Sequence, residues 1–189
     1  TNDVLYSYTI KECGIGESLL ETMLLDIIDN QTNPTVATYA KTSCSEVRIT
    51  AKADSFEKTQ NLVKPIAEEV IKRLGDNVYS TDEKENIEDA LVRLLRKNNL
   101  TISVAESCTG GLTCSKIVNV GGASEVFKYG FITYANEAKM KLLGVSKDTL
   151  EKYTAVSEKT AREMACGAIK ESGADVAVSI TGYAGPYDS

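Results

Sequence analysis

The sequence of 189 residues contains no histidine and no tryptophan, and only three prolines. Without histidine, the chain cannot form a Ser-His-Asp triad or a Cys-His pair, and zinc-finger spacings are excluded. A general base in an active site must therefore be Lys, Asp, Glu or Tyr. The five cysteines form no CxxC pair, so we expect free thiols and no structural zinc site.

Long apolar runs and an excess of basic residues are also missing. No run approaches the roughly 20 apolar residues that cross a bilayer, and no signal-peptide pattern opens the chain. We therefore expect a cytoplasmic protein without membrane contact. The net charge is −6, and neither half of the chain has the basic excess that duplex nucleic acid binding needs. Nucleic acid is thus not an expected partner.

The first part of the chain, residues 1–80, has the pattern of a small α+β module. Alternating and helical spacings of apolar residues predict a β-α-β-β-α-β order, in which the second and third strands form a hairpin. The predicted strands are 4–12, 33–41, 45–53 and 78–80, and the predicted helices are 14–30 and 54–75. Gly75 is the expected end of the second helix, and Pro65 is expected to kink or divide it.

The second part, residues 81–189, alternates strands and helices and predicts a three-layer α/β/α domain with a mostly parallel mixed sheet. The charged run 81–89 is interpreted as a solvated linker and helix start, which places the domain boundary after Ser80. Strand 175–182 is apolar on both faces, so we expect it to be central. The chain starts without Met and stops just after this strand. We therefore expect a fragment of a longer protein, truncated at the C-terminus.

Polar residues collect at the ends of three strands of this second part. They form the clusters 106–111, 134–139 and 181–182. If the strands are parallel, the clusters meet at the edge of the sheet where open α/β folds bind ligands. A catalytic or binding site is therefore expected at this edge.

Ser107 is the candidate nucleophile, since it lies between a strand and a helix start. Backbone N–H groups near Thr109, Gly110 and Gly111 could hold an oxyanion there. The alternative is that Ser107 or Thr109 only caps the helix. Cys108 competes as nucleophile, or is a small buried residue.

Lys139 is the candidate base, assisted by Tyr134 as a proton relay or hydrogen-bond partner. NEAK is interpreted as an N-cap, Asn136, with Lys139 in the first helical turn, where the helix dipole disfavours a cation. Burial or a neighbouring charge would have to supply most of the required decrease in the lysine pKa. The alternatives are a solvated helix lysine and an ordinary strand-end tyrosine. Glycine-rich loops 121–124 and 181–185 could approach a ligand closely or be plain turns.

Three ordered motifs, AESCTGG, ITYANEAKMKLLGV and DVAVSITGYAGP, resemble the C-terminal domain of the CinA family (competence/damage-inducible protein A). The same domain occurs alone as the PncC-type nicotinamide-nucleotide amidase. The segments TIKECGIGESLLE and NPTVATYAKTSCSEVRITAKA resemble the KH-like linker module of this family. The chain thus resembles the back part of CinA without its large N-terminal domain.

The resemblance implies hydrolysis of the carboxamide of nicotinamide mononucleotide to nicotinate mononucleotide and ammonia, a step of pyridine nucleotide salvage, without metal or cofactor. It places the catalytic residues at Ser107, Tyr134, Lys139 and Thr181, with Gly182 beside Thr181. A homodimer is also implied. Asn136 and the glycine-rich loop 121–124 are the candidates for holding the substrate phosphate. The loop residues are Gly121, Gly122, Ala123 and Ser124.

One departure from the family pattern, together with the presence of the KH-like module, leaves an alternative open, although the glycine spacing of that module disfavours nucleic-acid binding. The family continues after TGxAGP with an arginine that helps to form the site, whereas this chain reads PYDS and ends. A KH domain clamps nucleic acid with a GxxG loop, whereas Gly14 and Gly16 are only two residues apart. The alternative to an amidase is therefore a non-catalytic interdomain or nucleic-acid-binding KH-like fragment.

Overall fold

The computed structural model describes residues 3–41 and 44–185. It divides the chain into two compact units, residues 1–87 and residues 88–189. Each has its own sheet and its own apolar core. The PYDS end, on which the comparison with the family pattern depends, lies outside the described residues.

The first unit contains a four-stranded antiparallel sheet in the order β2-β3-β1-β4. The predicted element order and the predicted hairpin of β2 and β3 are confirmed. The elements are β1 (Val4–Glu12), α1 (Glu17–Asp29), β2 (Thr35–Ala40), β3 (Ser45–Ala53), α2 (Phe56–Leu74) and β4 (Val78–Ser80). A 3-10 turn, Gly75–Asn77, connects α2 to β4.

Helix α2 is one continuous helix, so Pro65 does not divide it, whereas the alternative of a kink at Pro65 stays a prediction. Its buried side chains recur on one face on both sides of Pro65, from Val63 to Leu74, and pack into the core of the sheet. Burial of this face holds the helix together across the hydrogen bond that proline cannot donate. The expected end at Gly75 is confirmed: this residue has φ 55° and its N–H donates to Ile71 O.

The second unit contains a three-stranded sheet in the order β6-β5-β7, with all described strand pairs parallel. The strands are β5 (Ile102–Glu106), β6 (Phe127–Ile132) and β7 (Val176–Ile180). The helices are α3 (Ile87–Lys97), α4 (Leu112–Val118), α5 (Ala123–Val126), α6 (Asn136–Leu143), α7 (Lys147–Tyr153) and α8 (Glu158–Ser172). None of the helices within residues 3–41 and 44–185 is long and apolar enough to cross a membrane.

Two apolar cores lie on opposite faces of β5 and make this unit three-layered, as the sequence predicted. Ile102 and Val104 pack with α3, α4 and α5, whereas Ala105 packs with α6, α7 and α8. The central strand is β5, and the prediction that 175–182 is central is wrong for the described residues, because β7 pairs there with β5 alone. Its Val178 is 45% exposed.

Candidate active site

The carboxyl ends of the three parallel strands lie side by side. Glu106, the last residue of β5, is in register with Ile132 of β6 and Ile180 of β7. Ser107 N–H donates to Ile180 O at 2.9 Å, and Thr133 N–H donates to Glu106 O at 2.8 Å. The residues that follow the strands therefore leave the sheet at one edge, where the sequence predicted a site.

At this edge Ser107 and Lys139 are in direct contact. Lys139 Nζ lies 3.0 Å from Ser107 Oγ and donates to Thr133 O at 2.8 Å and to Tyr134 O at 2.9 Å. The lysine side chain is fully buried, and Ser107 is 5% exposed. The contact joins the loop after β5 to helix α6, which are 32 residues apart in the chain.

The environment of Lys139 favours its neutral form. Burial lowers its pKa from the ordinary value of 10.5, and the nearby Cys108 sulfur opposes this change. The N-cap of α6 is Ala135, not Asn136 as predicted, and Lys139 is the fourth helical residue. Desolvation, rather than the helix dipole, is therefore the main cause of the lowered pKa.

The Tyr134 and Thr181 side chains are placed differently from the prediction. Tyr134 contacts Lys139 through its backbone carbonyl, while its side chain is 67% exposed. The Thr181 hydroxyl donates to Ala155 O at 2.7 Å. Within the described part of the chain, neither side-chain hydroxyl hydrogen-bonds to Ser107 or Lys139. The predicted contact of the Tyr134 phenol with the lysine is thus replaced by a carbonyl contact.

Sequence reasoning missed the role of Glu106, whose carboxylate caps helix α4. This fully buried group accepts hydrogen bonds from the N–H groups of Gly111 (3.0 Å), Thr113 (3.2 Å) and Cys114 (2.8 Å). Burial raises the pKa of Glu106, but the Cys114 thiol, the Thr109 hydroxyl and these N–H groups outweigh burial and lower the pKa to about 2. Thr109 Oγ1 is buried and has no hydrogen-bond partner among the described residues.

This cap changes the expected oxyanion site. Gly111 N–H is bound to Glu106, and Gly110 N–H donates to Ser107 O at 3.2 Å. These two groups are therefore not free to bind a substrate oxygen, contrary to the prediction. The N–H groups of Cys108 and Thr109, next to the serine, have no acceptor among the described residues. Gly111 itself has φ 105°, a left-handed conformation that favours glycine.

The other predicted substrate-binding residues fall into two groups. Gly182 lies at the Ser107 edge, because a Cβ atom there would be 3.1 Å from Cys108 Sγ, and exposed Asn136 begins α6 nearby. Loop 121–124 precedes β6, whose first residue pairs with the first residue of β5. Within one chain, Gly121, Gly122, Ala123 and Ser124 therefore lie at the opposite edge of the sheet from Ser107, and the structure does not bring them to this site. The physical reason is that a loop before a parallel strand lies at its amino end.

The fold and the site together define a class: a three-layer α/β domain with a buried serine–lysine pair at the carboxyl edge of a parallel sheet. Two family comparisons agree with this description. The CinA C-terminal domain family matches residues 84–189, and the family described as damage-inducible protein CinA KH domain matches residues 7–80. The chain belongs to the CinA family.

Relatives of known sequence and structure support this assignment. A CinA-like protein from Kosmotoga olearia is 52% identical over 98% of this chain, which corresponds to 45% of that protein. The chain thus spans a little under half the length of this curated relative. A CinA superfamily protein from Escherichia coli is 47% identical, with a TM-score of 0.53 over 54% of this chain and 59% of the other. The competence/damage-inducible protein CihA from Agrobacterium tumefaciens is 42% identical, with a TM-score of 0.51 over 55% and 66%.

Proposed function

We propose that the second unit hydrolyses the carboxamide of nicotinamide mononucleotide, with Ser107 as nucleophile and neutral Lys139 as base. The observation that carries this proposal is the 3.0 Å contact between Lys139 Nζ and Ser107 Oγ inside a buried site. The substrate comes from the resemblance of the three motifs to PncC-type amidases. The family membership supports the proposal at a coarser level, since the names of the relatives specify no reaction.

The three contacts of Lys139 explain how it can act as a base. The carbonyls of Thr133 and Tyr134 can only accept hydrogen bonds, so each holds one N–H of the lysine. A neutral amine has two hydrogens and one lone pair. With both hydrogens on the carbonyls, the lone pair points toward Ser107 Oγ, where it can accept the hydroxyl proton. The two carbonyls therefore orient the lone pair of Lys139 Nζ, and the lowered pKa favours the neutral amine that carries this lone pair.

The reaction proceeds in two stages. Lys139 takes the proton of Ser107 while Oγ attacks the amide carbon, and the N–H groups of Cys108 and Thr109 are the candidates for holding the oxyanion. The lysine then returns the proton to the departing nitrogen, which leaves as ammonia. Water, deprotonated by the same amine, cleaves the ester and restores Ser107. No step requires a group other than the side chains and backbone named here.

The partners of this reaction are also proposals. The substrate is a small molecule, and its phosphate requires donors, for which Asn136 and the backbone at Gly182 are the nearest of the predicted candidates. We expect a cytoplasmic homodimer that binds neither nucleic acid nor membrane. A non-catalytic or nucleic-acid-binding fragment remains the alternative for residues 1–80. Gly14 and Gly16 lack the spacing that a nucleic-acid-binding KH loop needs.

The test is ammonia release from nicotinamide mononucleotide by the purified chain. Ser107→Ala should lower kcat by at least about a thousandfold, because the nucleophile is lost. Ser115→Ala is the matched control, since this serine is exposed on α4 and should leave the rate unchanged. Full activity of Ser107→Ala, or no ammonia from the unmodified chain, would contradict the proposal. Binding of labelled single-stranded RNA at low salt would favour the alternative.

A further inference from the structure

Two cysteines of the first unit lie opposite each other on neighbouring strands. Strands β1 and β3 pair antiparallel, with Lys11 opposite Glu46 and Glu12 opposite Ser45. The next position of this register sets Cys13 opposite Cys44. The hydrogen bonding of β1 with the β4 side and of β3 with the β2 side continues to these two positions. Cys13 N–H donates to Asn77 O at 3.0 Å, and Cys44 O accepts from Lys41 N–H at 2.9 Å.

The directions of these hydrogen bonds define the geometry of the cysteine pair. Cys13 donates to Asn77 O and its carbonyl accepts from Asn77 Nδ2, so both backbone groups point toward the β4 side. The Cys44 carbonyl points toward the β2 side. Neither cysteine therefore uses these groups to bond the other, which makes them a non-hydrogen-bonded pair. Such pairs have Cα atoms about 4.5 Å apart, inside the roughly 4.4–6.8 Å range of disulfides.

Side-chain contacts on the same face of the sheet agree with this placement. Side chains two residues apart along a strand share a face of the sheet, so Lys11 and Glu46 are on the same face as the cysteine pair. Across these two strands, Lys11 Nζ lies 3.9 Å from Glu46 Oε1. The pKa of Cys13 is raised by burial first, and also by its neighbours Glu12 and Cys44. The Cys44 thiol also lies close enough to the Tyr79 phenol to raise the pKa of that phenol, together with burial. The two thiols are thus near neighbours, both free and both partly buried.

We propose that Cys13 and Cys44 are a dithiol site that closes to a cross-strand disulfide when a disulfide oxidant such as glutathione disulfide is present. One cysteine thiolate attacks the oxidant and releases one glutathione. The second thiolate attacks the mixed disulfide, forms the Cys13–Cys44 bond and releases a second glutathione. Two cysteines are oxidised, one glutathione disulfide is reduced, and the two thiol protons end on the glutathione thiols.

Closure would have a measurable effect on the first unit. The bond would enclose residues 13–44, which contain α1 and β2. Because a ring of this length restricts the unfolded chain strongly, the oxidised unit should unfold at a Tm about 10 °C or more above that of the reduced unit. The register already brings the cysteines together, so the bond should form without moving either strand.

The experiment is oxidation of the reduced full chain with glutathione disulfide, followed by alkylation of the remaining thiols and peptide mapping by mass spectrometry. We expect one Cys13–Cys44 crosslink, a loss of two hydrogen atoms, and alkylation of Cys108, Cys114 and Cys166. Thermal unfolding of both forms measures the shift in Tm. Cys13→Ser should abolish the crosslink and the shift, whereas Cys166→Ser, which alters an exposed cysteine of α8, should retain both.

Three outcomes would overturn the proposal. They are a stable mixed disulfide with glutathione at Cys13 or Cys44 without a crosslink, a crosslink that joins other cysteines, and an oxidised chain with an unchanged Tm. If Cys13→Ser fails to fold, the peptide map of the unmodified chain still decides between crosslink and mixed disulfide. None of these outcomes depends on amidase activity, so the test is independent of the proposed function.

Discussion

The contact between helices α6 and α8 offers a sharp test of how the base is positioned. Gly167 of α8 lies against the end of α6, and a Cβ atom there would be 1.9 Å from Leu143 O. Real Cβ atoms essentially never approach within 3.0 Å, so Gly167→Ala must separate the helices by about 1 Å. Helix α6 carries Lys139. Such a displacement would lengthen the 3.0 Å contact of its Nζ with Ser107 Oγ beyond hydrogen-bonding distance.

The expected effects of Gly167→Ala are a loss of stability and a loss of activity. Overpacking of this kind costs about 1–3 kcal/mol, which corresponds to a decrease of roughly 10 °C in the Tm of a unit of this size. A misplacement of about 1 Å can lower the rate about a hundredfold. Thermal unfolding and ammonia release from nicotinamide mononucleotide measure the two effects.

The control for this prediction is Cys166→Ala, one residue earlier on the same helix at an exposed position. It should change neither the Tm nor the rate by a measurable amount. If Gly167→Ala kept the Tm and the rate of the unmodified chain, the close contact with Leu143 would not position Lys139. Packing of α8 against α6 would then not determine the geometry of the base.

The remaining predictions concern the two buried ionisable groups of the site. Lys139→Met should lower kcat at least about a hundredfold, since the base is lost. Because burial lowers the pKa of Lys139, the unfolded chain binds its proton more readily, so the free energy of unfolding rises with pH up to about 10.5. Urea unfolding between pH 7 and 10 should show a smaller rise for Lys139→Met, and an equal rise would argue against a lowered pKa. Glu106, with a pKa of about 2 against an ordinary 4.5, should stabilise the fold by about 3 kcal/mol above pH 5. This contribution is lost as the pH falls toward 2, so Glu106→Gln should weaken the acid dependence of urea unfolding. An unchanged acid dependence would contradict the assigned role of its carboxylate.

Apolar periodicity was sufficient to predict most elements of the fold. The helix of 14–30 and the hairpin of 33–53 followed from which residues alternate and which recur at helical spacing. Strand order was harder, because β5 and β7 are both apolar on two faces and only long-range pairing shows that β5 is central. Whether Pro65 divides α2 could not be predicted locally for a similar reason, since tertiary burial of α2 keeps the helix continuous.

The contacts of the site that side chains make could be predicted from the sequence, whereas those that backbone groups make could not. Ser107 and Lys139 were found because polar groups at parallel strand ends must converge. The carbonyls of Thr133 and Tyr134 that hold the lysine carry no sequence signal, because every residue has one. The misplaced loop 121–124 shows the converse limit. A glycine-rich stretch looks the same whether it precedes a strand or follows it.

The buried carboxylate of Glu106 has an electrostatic consequence for the kind of molecule that this edge of the sheet can accept. Its full negative charge exceeds the partial positive charge, about half an elementary charge, at the start of helix α4, and Lys139 contributes no charge in its basic form. In the working state the surroundings of Ser107 are therefore anionic. If the proposed reaction is correct, a pyridinium ring gains from this field while an uncharged amide gains nothing. The phosphate of the same molecule must then lie away from the start of α4.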